Sequence, residues 1–128
     1  MTIPQELADH PTVRKLQEWN AAAVTEAWQD RGELTVVVPR RWIRPVCEFL
    51  RSDPELQFHL LSDLSAVDRF PLEPRFEVNY HLVSLARRDR LRLKVRVEGH
   101  SPVVETVTTV WPTANWHERE VFDLMGIR

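Results

Sequence analysis

Cysteine and glycine are nearly absent from this 128-residue sequence, which contains Cys47 and the glycines Gly32, Gly99 and Gly126. A single cysteine excludes an internal disulfide and a cluster site made of several thiolates, and it is typical of a reducing compartment. Three widely separated glycines exclude the GxGxxG loop and the P-loop. The commonest cradles for dinucleotides and phosphates are therefore missing.

Long apolar runs and a strong charge of one sign are also missing. No uncharged apolar run approaches the roughly 18 residues that a transmembrane helix needs. The N-terminus, MTIPQELADH, has neither the basic start nor the apolar core of a secretory signal. The net charge is −2, whereas nucleic-acid-binding domains are usually strongly basic. We therefore expect no nucleic-acid partner, and a contact with a membrane only through a partner.

The residues that are present indicate one globular domain over 1–128. Hydrophobic residues make up 43% and charged residues 28%, close to the globular average. Arginine accounts for 15 of the 17 basic residues, and there are five tryptophans. Both residue types are enriched in protein interfaces. A GC-rich genome and ordinary use of tryptophan in the core explain the same counts equally well.

Hydrophobic periodicity predicts an α/β (α+β) fold in the order α-β-α-β-β-β-α. The sheet is expected to be mixed but mostly antiparallel, with about four strands and flanking helices. Strict alternation over 76–85 and 91–98 predicts an antiparallel hairpin, and the strand 58–67 is expected to be largely buried on both sides. The other predicted elements are helices over about 10–30, 40–51 and 114–125, and a strand over 34–38.

Basic residues recur along one face of the last predicted strand, at Arg92, Lys94 and Arg96. This row is either a cationic stripe for a phosphate, a nucleic acid or an acidic partner, or a solvated strand face that resists aggregation. The histidines offer less, because no HxH or HxxxH spacing occurs and a metal needs three or four ligands in one geometry. Cys47 has no neighbour that would activate a thiolate, so we expect a small buried residue.

The last predicted helix has the densest pattern of charge. Glu118 falls within its apolar stripe and needs a partner or a cap there; Asn115 has the spacing of a capping box with it. Arg119 and Asp123 have the i, i+4 spacing of an ion pair. An arginine beside the carboxylates favours their ionised forms, whereas a general acid needs a raised pKa. We therefore expect an ion-pair network rather than an acid–base site.

Three stretches resemble one known family, the 30-kDa subunit of respiratory complex I, which is the C subunit of the bacterial proton-translocating NADH:quinone oxidoreductase. The pattern ERE, two residues, Asp, two residues, GI at 118–127 is similar to the signature of the family. The preceding VTTVWPTANW resembles its VTDLWPSANW, and FEVNYHLVS at 76–84 resembles a family strand, RFEVVYHLLS. The resemblance covers about 34–127. The family normally has a C-terminal extension after GI, and this sequence stops at Arg128.

The resemblance implies a non-catalytic structural subunit of the hydrophilic arm, at the cytoplasmic face of the membrane, in a complex that passes electrons from NADH to quinone and translocates protons. It implies that FMN, the iron–sulfur clusters, quinone and any metal belong to partner subunits, and that the isolated chain has no activity. The implied partners are the 49-kDa-type D subunit, with the B and I subunits nearby. The implied interface or signature residues are Trp116, Glu118, Arg119, Glu120, Asp123 and Gly126.

Three alternatives stay open. In the first, the chain is the equivalent subunit of a membrane-bound hydrogenase or an F420-dependent dehydrogenase, which carry related subunits. In the second, it is a free-standing binding module that uses the row Arg92, Lys94 and Arg96, and in the third it is an enzyme built on Glu118 and Glu120.

Overall fold

Five strands form one sheet in the order β1-β2-β5-β4-β3. The structure, a computed structural model, describes Leu7 and residues 10–100 and 102–127, without the side chains of Asp123 and Leu124. The helices are α1 Pro11–Trp19, α2 Ile43–Ser52 and α3 Ala114–Met125, with short 3₁₀ helices at Ala21–Ala23 and Arg40–Trp42. The strands are β1 Glu26–Asp30, β2 Glu33–Val37, β3 Leu60–Asp68, β4 Phe76–Ser84 and β5 Asp89–Val97.

The sheet is mixed, because β2 and β5 run parallel while the other neighbouring strands run antiparallel. The predicted hairpin is confirmed as β4 and β5, whose register runs from Phe76 opposite Val97 to Ser84 opposite Asp89. The predicted bounds of α3 are confirmed as well. The α+β class with a mostly antiparallel sheet is therefore correct, and the sheet has one strand more than predicted.

The additional strand, β1, lies where the first helix was predicted to continue. That helix ends at Trp19, because Asn20 takes an extended conformation while its N–H donates to the carbonyl of Leu16. A two-residue turn then joins β1 to β2, and its residues Arg31 and Gly32 both have positive φ, as a tight hairpin requires. Val24 and Ala27, which fit the spacing of the predicted helix, are buried, but the pairing of β1 with β2 replaces the helix.

Strand β3 is not buried on both sides, contrary to the prediction. It lies at the edge of the sheet and pairs only with β4 among the described strands. Leu61 and Leu64 are buried, whereas Leu60 and Val67 are 39% and 48% exposed. A break in register between Leu61 and Asp63 interrupts the alternation. A bulge of this kind is common in edge strands and explains why the apolar positions do not follow period two.

The core lies on one face of the sheet. Alternate residues of the central strands are fully buried there, and they form one cluster with apolar residues of all three helices. Cys47 of α2 belongs to this cluster, which confirms the prediction of a small buried residue, and burial raises the pKa of its thiol well above the usual value. No helix within the described residues is long and apolar enough to cross a membrane.

Candidate interaction surface on the C-terminal helix

Glu118 is buried in α3, where it fastens the preceding segment of the chain. Its Oε1 accepts a hydrogen bond of 2.6 Å from the hydroxyl of Thr106, and its Oε2 accepts one of 2.8 Å from the backbone N–H of Val107. The residue is only 7% exposed. Hydrogen bonds to an ionised carboxylate are among the stronger ones in proteins. The carboxylate therefore ties the segment 106–107 to α3.

The capping box that the spacing of Asn115 and Glu118 allowed is not formed. The N-cap of α3 is Thr113, and its side chain makes no capping hydrogen bond. Asn115 is exposed within the first turn. The carboxylate of Glu118 instead reaches back eleven and twelve residues to the loop. The expectation that Glu118 needs a partner is met, but the partner is a segment that periodicity could not identify.

The carboxylate lies beside an apolar interior. Burial raises the pKa of Tyr80 well above its usual value, and the charge of Glu118 raises it further. The Tyr80 hydroxyl is fully buried and has no hydrogen-bond partner among the described atoms. The charge of Glu118 also contributes, after burial, to the raised pKa of Cys47. If the hydrogen bonds to Glu118 were removed, its carboxylate would therefore remain at a buried position where water cannot easily supply new hydrogen bonds.

The opposite side of α3 presents the other signature residues to solvent. Trp116 is 66% exposed, and Arg119 and Glu120 are exposed as well. Their spacing of i, i+3 and i+4 places these three side chains on one face of the helix. We call Trp116, Arg119 and Glu120 the outward face of α3. A large aromatic ring that is mostly exposed to solvent is available to a partner.

The predicted ion-pair network is not found among the side chains that the structure describes. No ion pair there joins Glu118, Arg119 and Glu120, since Glu118 turns inward and the other two turn outward. The side chain of Asp123 lies outside the described part, so its pairing with Arg119 stays a prediction. The signature residues whose side chains are described therefore lie on two sides of one helix.

Gly126 ends α3, as predicted. It adopts a left-handed conformation with φ +75°, and its N–H donates to the carbonyl of Phe122. The N–H of Ile127 donates to the same carbonyl at 3.0 Å. A Cβ at Gly126 would meet no atom within 4 Å, so the position needs glycine for its φ rather than for space. The turn returns Ile127 to the core, where it is 4% exposed.

Contacts with β3 and with the residues just before it hold α3 in place. Ala114 and Phe122 are buried on the inner side of the helix. Immediately before α3, the indole N–H of Trp111 donates to the carbonyl of Phe58 at 3.2 Å. His117 lies 3.9 Å from Asp63 of β3. The inner side of α3 is thus fixed to the sheet, and the outward face is presented on a rigid element.

The predicted basic row Arg92, Lys94 and Arg96 is neutralised by acidic residues of the same sheet face. The closest contacts are Arg92 with Glu33 at 3.4 Å, Lys94 with Glu77 at 3.7 Å, and Arg96 with Glu77 at 3.3 Å and with Glu26 at 2.7 Å. Three positive and three negative side chains therefore balance. The row forms a solvated, charged strand face and not a cationic stripe, which removes the basis for a nucleic-acid-binding module.

The histidines do not assemble a metal centre in the described part of the chain, where no group of three His, Cys, Asp or Glu side chains is placed to hold an ion. His81 lies on the charged face of the sheet opposite Asp63 and Arg92. Burial and the charge of Arg92 lower its pKa. His59 is exposed just before β3. The two histidines are a half-buried and a surface residue.

Two residues that the sequence did not single out, Thr106 and Glu26, make contacts with predicted residues. Thr106 supplies the hydroxyl for Glu118, and Glu26 of the unpredicted strand β1 supplies a carboxylate for Arg96. Both contacts join residues that are distant in sequence. No local pattern signals either of them, because periodicity reports which face a residue occupies and not which segment lies opposite.

Sequence comparison places the chain among respiratory subunits. Residues 36–128 match the model of the family described as "Respiratory-chain NADH dehydrogenase, 30 Kd subunit". The C subunit of the NADH-quinone oxidoreductase of Roseiflexus castenholzii is 48% identical over 93% of this chain and 69% of its own length. The corresponding C subunit of Geotalea uraniireducens is 45% identical over 90% of this chain and 69% of its own length. That of Roseiflexus sp. strain RS-1 is 50% identical over 82% of this chain and 60% of its own length.

Solved structures agree with this assignment. The trypsin-resistant fragment of Nqo5 superimposes with a TM-score of 0.73 at 34% identity, over 89% of this chain and 91% of the fragment. A chain of the membrane-bound sulfane sulfur reductase, an archaeal respiratory membrane complex, gives a TM-score of 0.73 at 30% identity, over 91% of this chain and 66% of its own. The fold, the position of the signature on α3 and these matches lead to one conclusion. The chain belongs to the family of the 30-kDa subunit of respiratory-chain NADH dehydrogenase.

Proposed function

We propose that this chain is a non-catalytic structural subunit of the hydrophilic arm of an NADH:quinone oxidoreductase, at the cytoplasmic face of the membrane. Its role is to hold partner subunits together while they carry electrons from NADH to quinone and translocate protons. FMN, the iron–sulfur clusters and quinone belong to the partners in this proposal. The isolated chain then oxidises no NADH. Family membership supports the proposal, and the relatives named above carry the name of that complex.

The observation that carries the proposal is the division of α3 into two sides. Glu118 binds the segment that precedes α3, and Gly126 ends the helix. Trp116 and Arg119, in contrast, are exposed on a helix that is fixed to the sheet. Tryptophan and arginine are among the residues most enriched at binding hot spots. The outward face of α3 is therefore our candidate for docking to the 49-kDa-type D subunit, with the B and I subunits nearby.

Substitution of Trp116 by Ala tests this docking. We expect the free energy of unfolding of the chain to change by less than about 0.5 kcal/mol, because the indole is mostly exposed. We expect the tagged chain, expressed in its own cells and extracted in mild detergent, to lose most of its co-eluting 49-kDa-type partner. Loss of a central aromatic anchor costs about 2 kcal/mol or more of binding free energy, which is roughly a thirtyfold weaker complex.

Leu85→Ala is the matched control. Leu85 is 75% exposed, and it lies in the turn between β4 and β5, outside α3. This control should co-elute with the 49-kDa-type partner as the unchanged chain does. Equal recovery of that partner with Trp116→Ala and with Leu85→Ala would remove the outward face from the interface. An unchanged chain that elutes alone would overturn the proposed function itself.

A second candidate function rests on the sulfane sulfur reductase. Its chain reaches the same TM-score as the Nqo5 fragment, so the fold serves in more than one respiratory complex. A related complex such as a hydrogenase would keep the structural role and change the co-eluting proteins. The 48% identity to an NADH-quinone oxidoreductase chain, against 30% to the reductase chain, favours the NADH:quinone oxidoreductase.

A further inference from the structure

The connection between β3 and β4 presents two large apolar side chains to solvent. It consists of the seven residues 69–75. Phe70 is 72% exposed and Leu72 is 58% exposed, and neither belongs to the hydrophobic core cluster. Apolar side chains that are exposed close together mark interaction sites more often than single ones do. We call Phe70 and Leu72 the apolar tip.

Hydrogen bonds hold the backbone of the connection in one shape. The N–H of Arg69 donates to the carbonyl of Arg75 at 2.7 Å and closes the connection at its base. The N–H of Leu72 donates to the carbonyl of Arg69 at 2.9 Å, and the guanidinium of Arg69 donates to the carbonyl of Pro74 at 3.1 Å. A segment that is ordered in this way costs a partner little entropy on binding.

Arg75 fixes the aromatic half of the apolar tip. Its guanidinium donates two hydrogen bonds of 2.8 Å to the carboxylate of Asp68. The guanidinium carbon lies 5.2 Å from the centre of the Phe70 ring and 4.8 Å from the centre of the Phe76 ring. Phe76 is buried at the start of β4. The Phe70 ring is therefore held through Arg75 to a buried residue of the sheet, while most of its surface faces water.

Glu73 attaches the connection to the end of β5. Its Oε1 accepts hydrogen bonds from the N–H of Arg75 at 2.9 Å and from the N–H of Gly99 at 3.0 Å. A Cβ at Gly99 would lie 3.0 Å from Oε2 of Glu73 and 3.1 Å from Cδ of Arg75, closer than ordinary van der Waals contact. The connection is thus packed tightly against the chain that follows β5, and the apolar tip is presented on a firm base.

The charges around the apolar tip are balanced and already have partners. Residues 68–75 contain two acidic and two basic side chains, Asp68, Arg69, Glu73 and Arg75. Asp68 pairs with Arg75, Arg69 binds a carbonyl, and Glu73 binds two backbone N–H groups. Loops that enter a lipid surface combine apolar side chains with a surplus of Lys or Arg, which attracts anionic lipids. The balance here favours an uncharged protein pocket over a membrane.

A second copy of the chain fits the apolar tip less well than a different protein does. Two cavities at the surface of the described residues have charged linings, with Glu33, Asp63 and Arg90 in one and Arg41 and Glu105 in the other. Insertion of an aromatic or aliphatic side chain there would remove water from charged groups without replacing their hydrogen bonds. A pocket that receives the apolar tip therefore belongs to a different chain.

We propose that the apolar tip inserts into an apolar pocket of a neighbouring protein subunit. The contact rests on the proposed function as an assembly subunit, and it is a second contact in addition to the outward face of α3, with which it shares no residue. The Phe70 ring and the Leu72 side chain fill the pocket, and the paired charges of Asp68 and Arg75 lie at its rim. Aromatic anchors surrounded by satisfied polar groups are typical of the centres of protein interfaces.

A photo-crosslink identifies the occupant. Phe70 is replaced by p-benzoylphenylalanine in the tagged full chain, intact membranes of its own cells are irradiated, and the joined species is identified by mass spectrometry after extraction in mild detergent. We expect a peptide of another subunit with mostly apolar side chains around the joined position. The same probe at Leu85, which is 75% exposed, should give no such product. A joined lipid, a joined copy of this chain, a joined peptide rich in charged residues, or no product would overturn the proposal.

Leu72→Ala measures how much the apolar tip contributes. The variant and the unchanged chain carry different tags and are produced together in the native cells, so that they compete for the same partner subunits. We expect the ratio of variant to unchanged chain to be about tenfold lower in the isolated complex than in the total extract, because the pocket loses its aliphatic contact. Leu72→Met keeps the size of the side chain and should stay within about twofold of the unchanged chain.

Leu85→Ala is the matched control for this competition. It makes the same change at the other end of the nine-residue strand β4, which is about 30 Å long, and its ratio should stay near one. Equal ratios for Leu72→Ala and Leu85→Ala would contradict the proposal. Comparison with the total extract corrects for any difference in abundance, and urea denaturation of the isolated variants shows whether the fold is kept.

The outcomes separate this proposal from the proposed function. If the unchanged chain recovers its partner subunits and Leu72→Ala competes as well as Leu85→Ala does, the proposal for the apolar tip fails and the assembly role stands. If the unchanged chain recovers no partner and the probe at Phe70 gives no product, both fail. A crosslink from Phe70 to a subunit that is also lost with Trp116→Ala would show that both surfaces contact the same partner, and it would support both.

Discussion

Carboxylates serve two different purposes in two regions of this molecule. At α3, Glu118 is 7% exposed and receives two hydrogen bonds from neutral donors of another segment. On the open face of the sheet, Glu26, Glu33 and Glu77 pair with basic side chains of β5 and stay in contact with water, at 16–37% side-chain exposure. The first arrangement joins two parts of the chain, whereas the second neutralises the positive charge on the open face of the sheet.

The difference shows where ionic groups contribute to structure. A buried carboxylate with neutral donors is weakened little by salt, and loss of it leaves those donors without partners. A half-exposed ion pair gains little Coulomb energy in a high dielectric and is screened by salt. The family signature contains the first kind of carboxylate. The basic row, which stands out more in the sequence, contacts the second.

The largest effect on stability is expected from Glu118→Ala. The substitution removes two hydrogen bonds to an ionised group and leaves the buried N–H of Val107 without an acceptor. We expect a loss of about 2–3 kcal/mol in the free energy of unfolding, measured by urea denaturation. Glu120→Ala, an exposed carboxylate two residues away, is the control and should change stability by less than about 0.5 kcal/mol. Equal losses of stability from Glu118→Ala and Glu120→Ala would show that the buried carboxylate contributes no more than an exposed one.

A smaller effect is expected from Arg96→Ala on the sheet face. Arg96 contacts Glu26 at 2.7 Å and Glu77 at 3.3 Å while 34% of its side chain is exposed. We expect a loss of about 1 kcal/mol at low ionic strength. Repeating the denaturation at about 1 M NaCl, where the Debye length falls to roughly 3 Å, should reduce this loss by half or more and leave the loss from Glu118→Ala nearly unchanged. A loss from Arg96→Ala that ignores salt would show that the face is less accessible to water than its exposure indicates.

Sequence patterns predicted the elements that repeat over many residues. The hairpin of β4 and β5 was predicted because buried and exposed types alternate along each nine-residue strand, and α3 because its apolar positions keep helical spacing. Val24 and Ala27 fit the apolar spacing of the predicted first helix, but they fit a strand equally well. Only the pairing of β1 with β2, a tertiary contact, decides between them.

The candidate site was predictable in its location and not in its internal contacts. The resemblance at 118–127 directed attention to α3, and the apolar stripe correctly predicted that Glu118 turns inward. The partner of Glu118 was missed, because Thr106 lies in an irregular segment whose path no periodicity describes. Adjacent charges in sequence suggested an ion-pair network, but neighbouring residues on a helix point about 100° apart, so Glu118 and Arg119 face different environments.

The smallest effect is expected at the exposed pair of Asp68 and Arg75, which extends the comparison to acid pH. Two hydrogen bonds of 2.8 Å from Arg75 and one from the N–H of Phe70 lower the pKa of Asp68 from 3.8 to about 2. Because the folded state lowers this pKa, the pair stabilises the protein above pH 3.8, and its contribution is lost as the pH falls toward about 2. NMR titration of the Asp68 carboxyl carbon should give a midpoint near 2.

Asp68→Asn should remove this part of the acid dependence while leaving stability at neutral pH only slightly lower, because water replaces the contacts of an exposed pair. A midpoint near 3.8 in the folded protein would mean that the pair is not formed in solution, and it would place this loop with the freely solvated charges rather than with the structured carboxylate of α3.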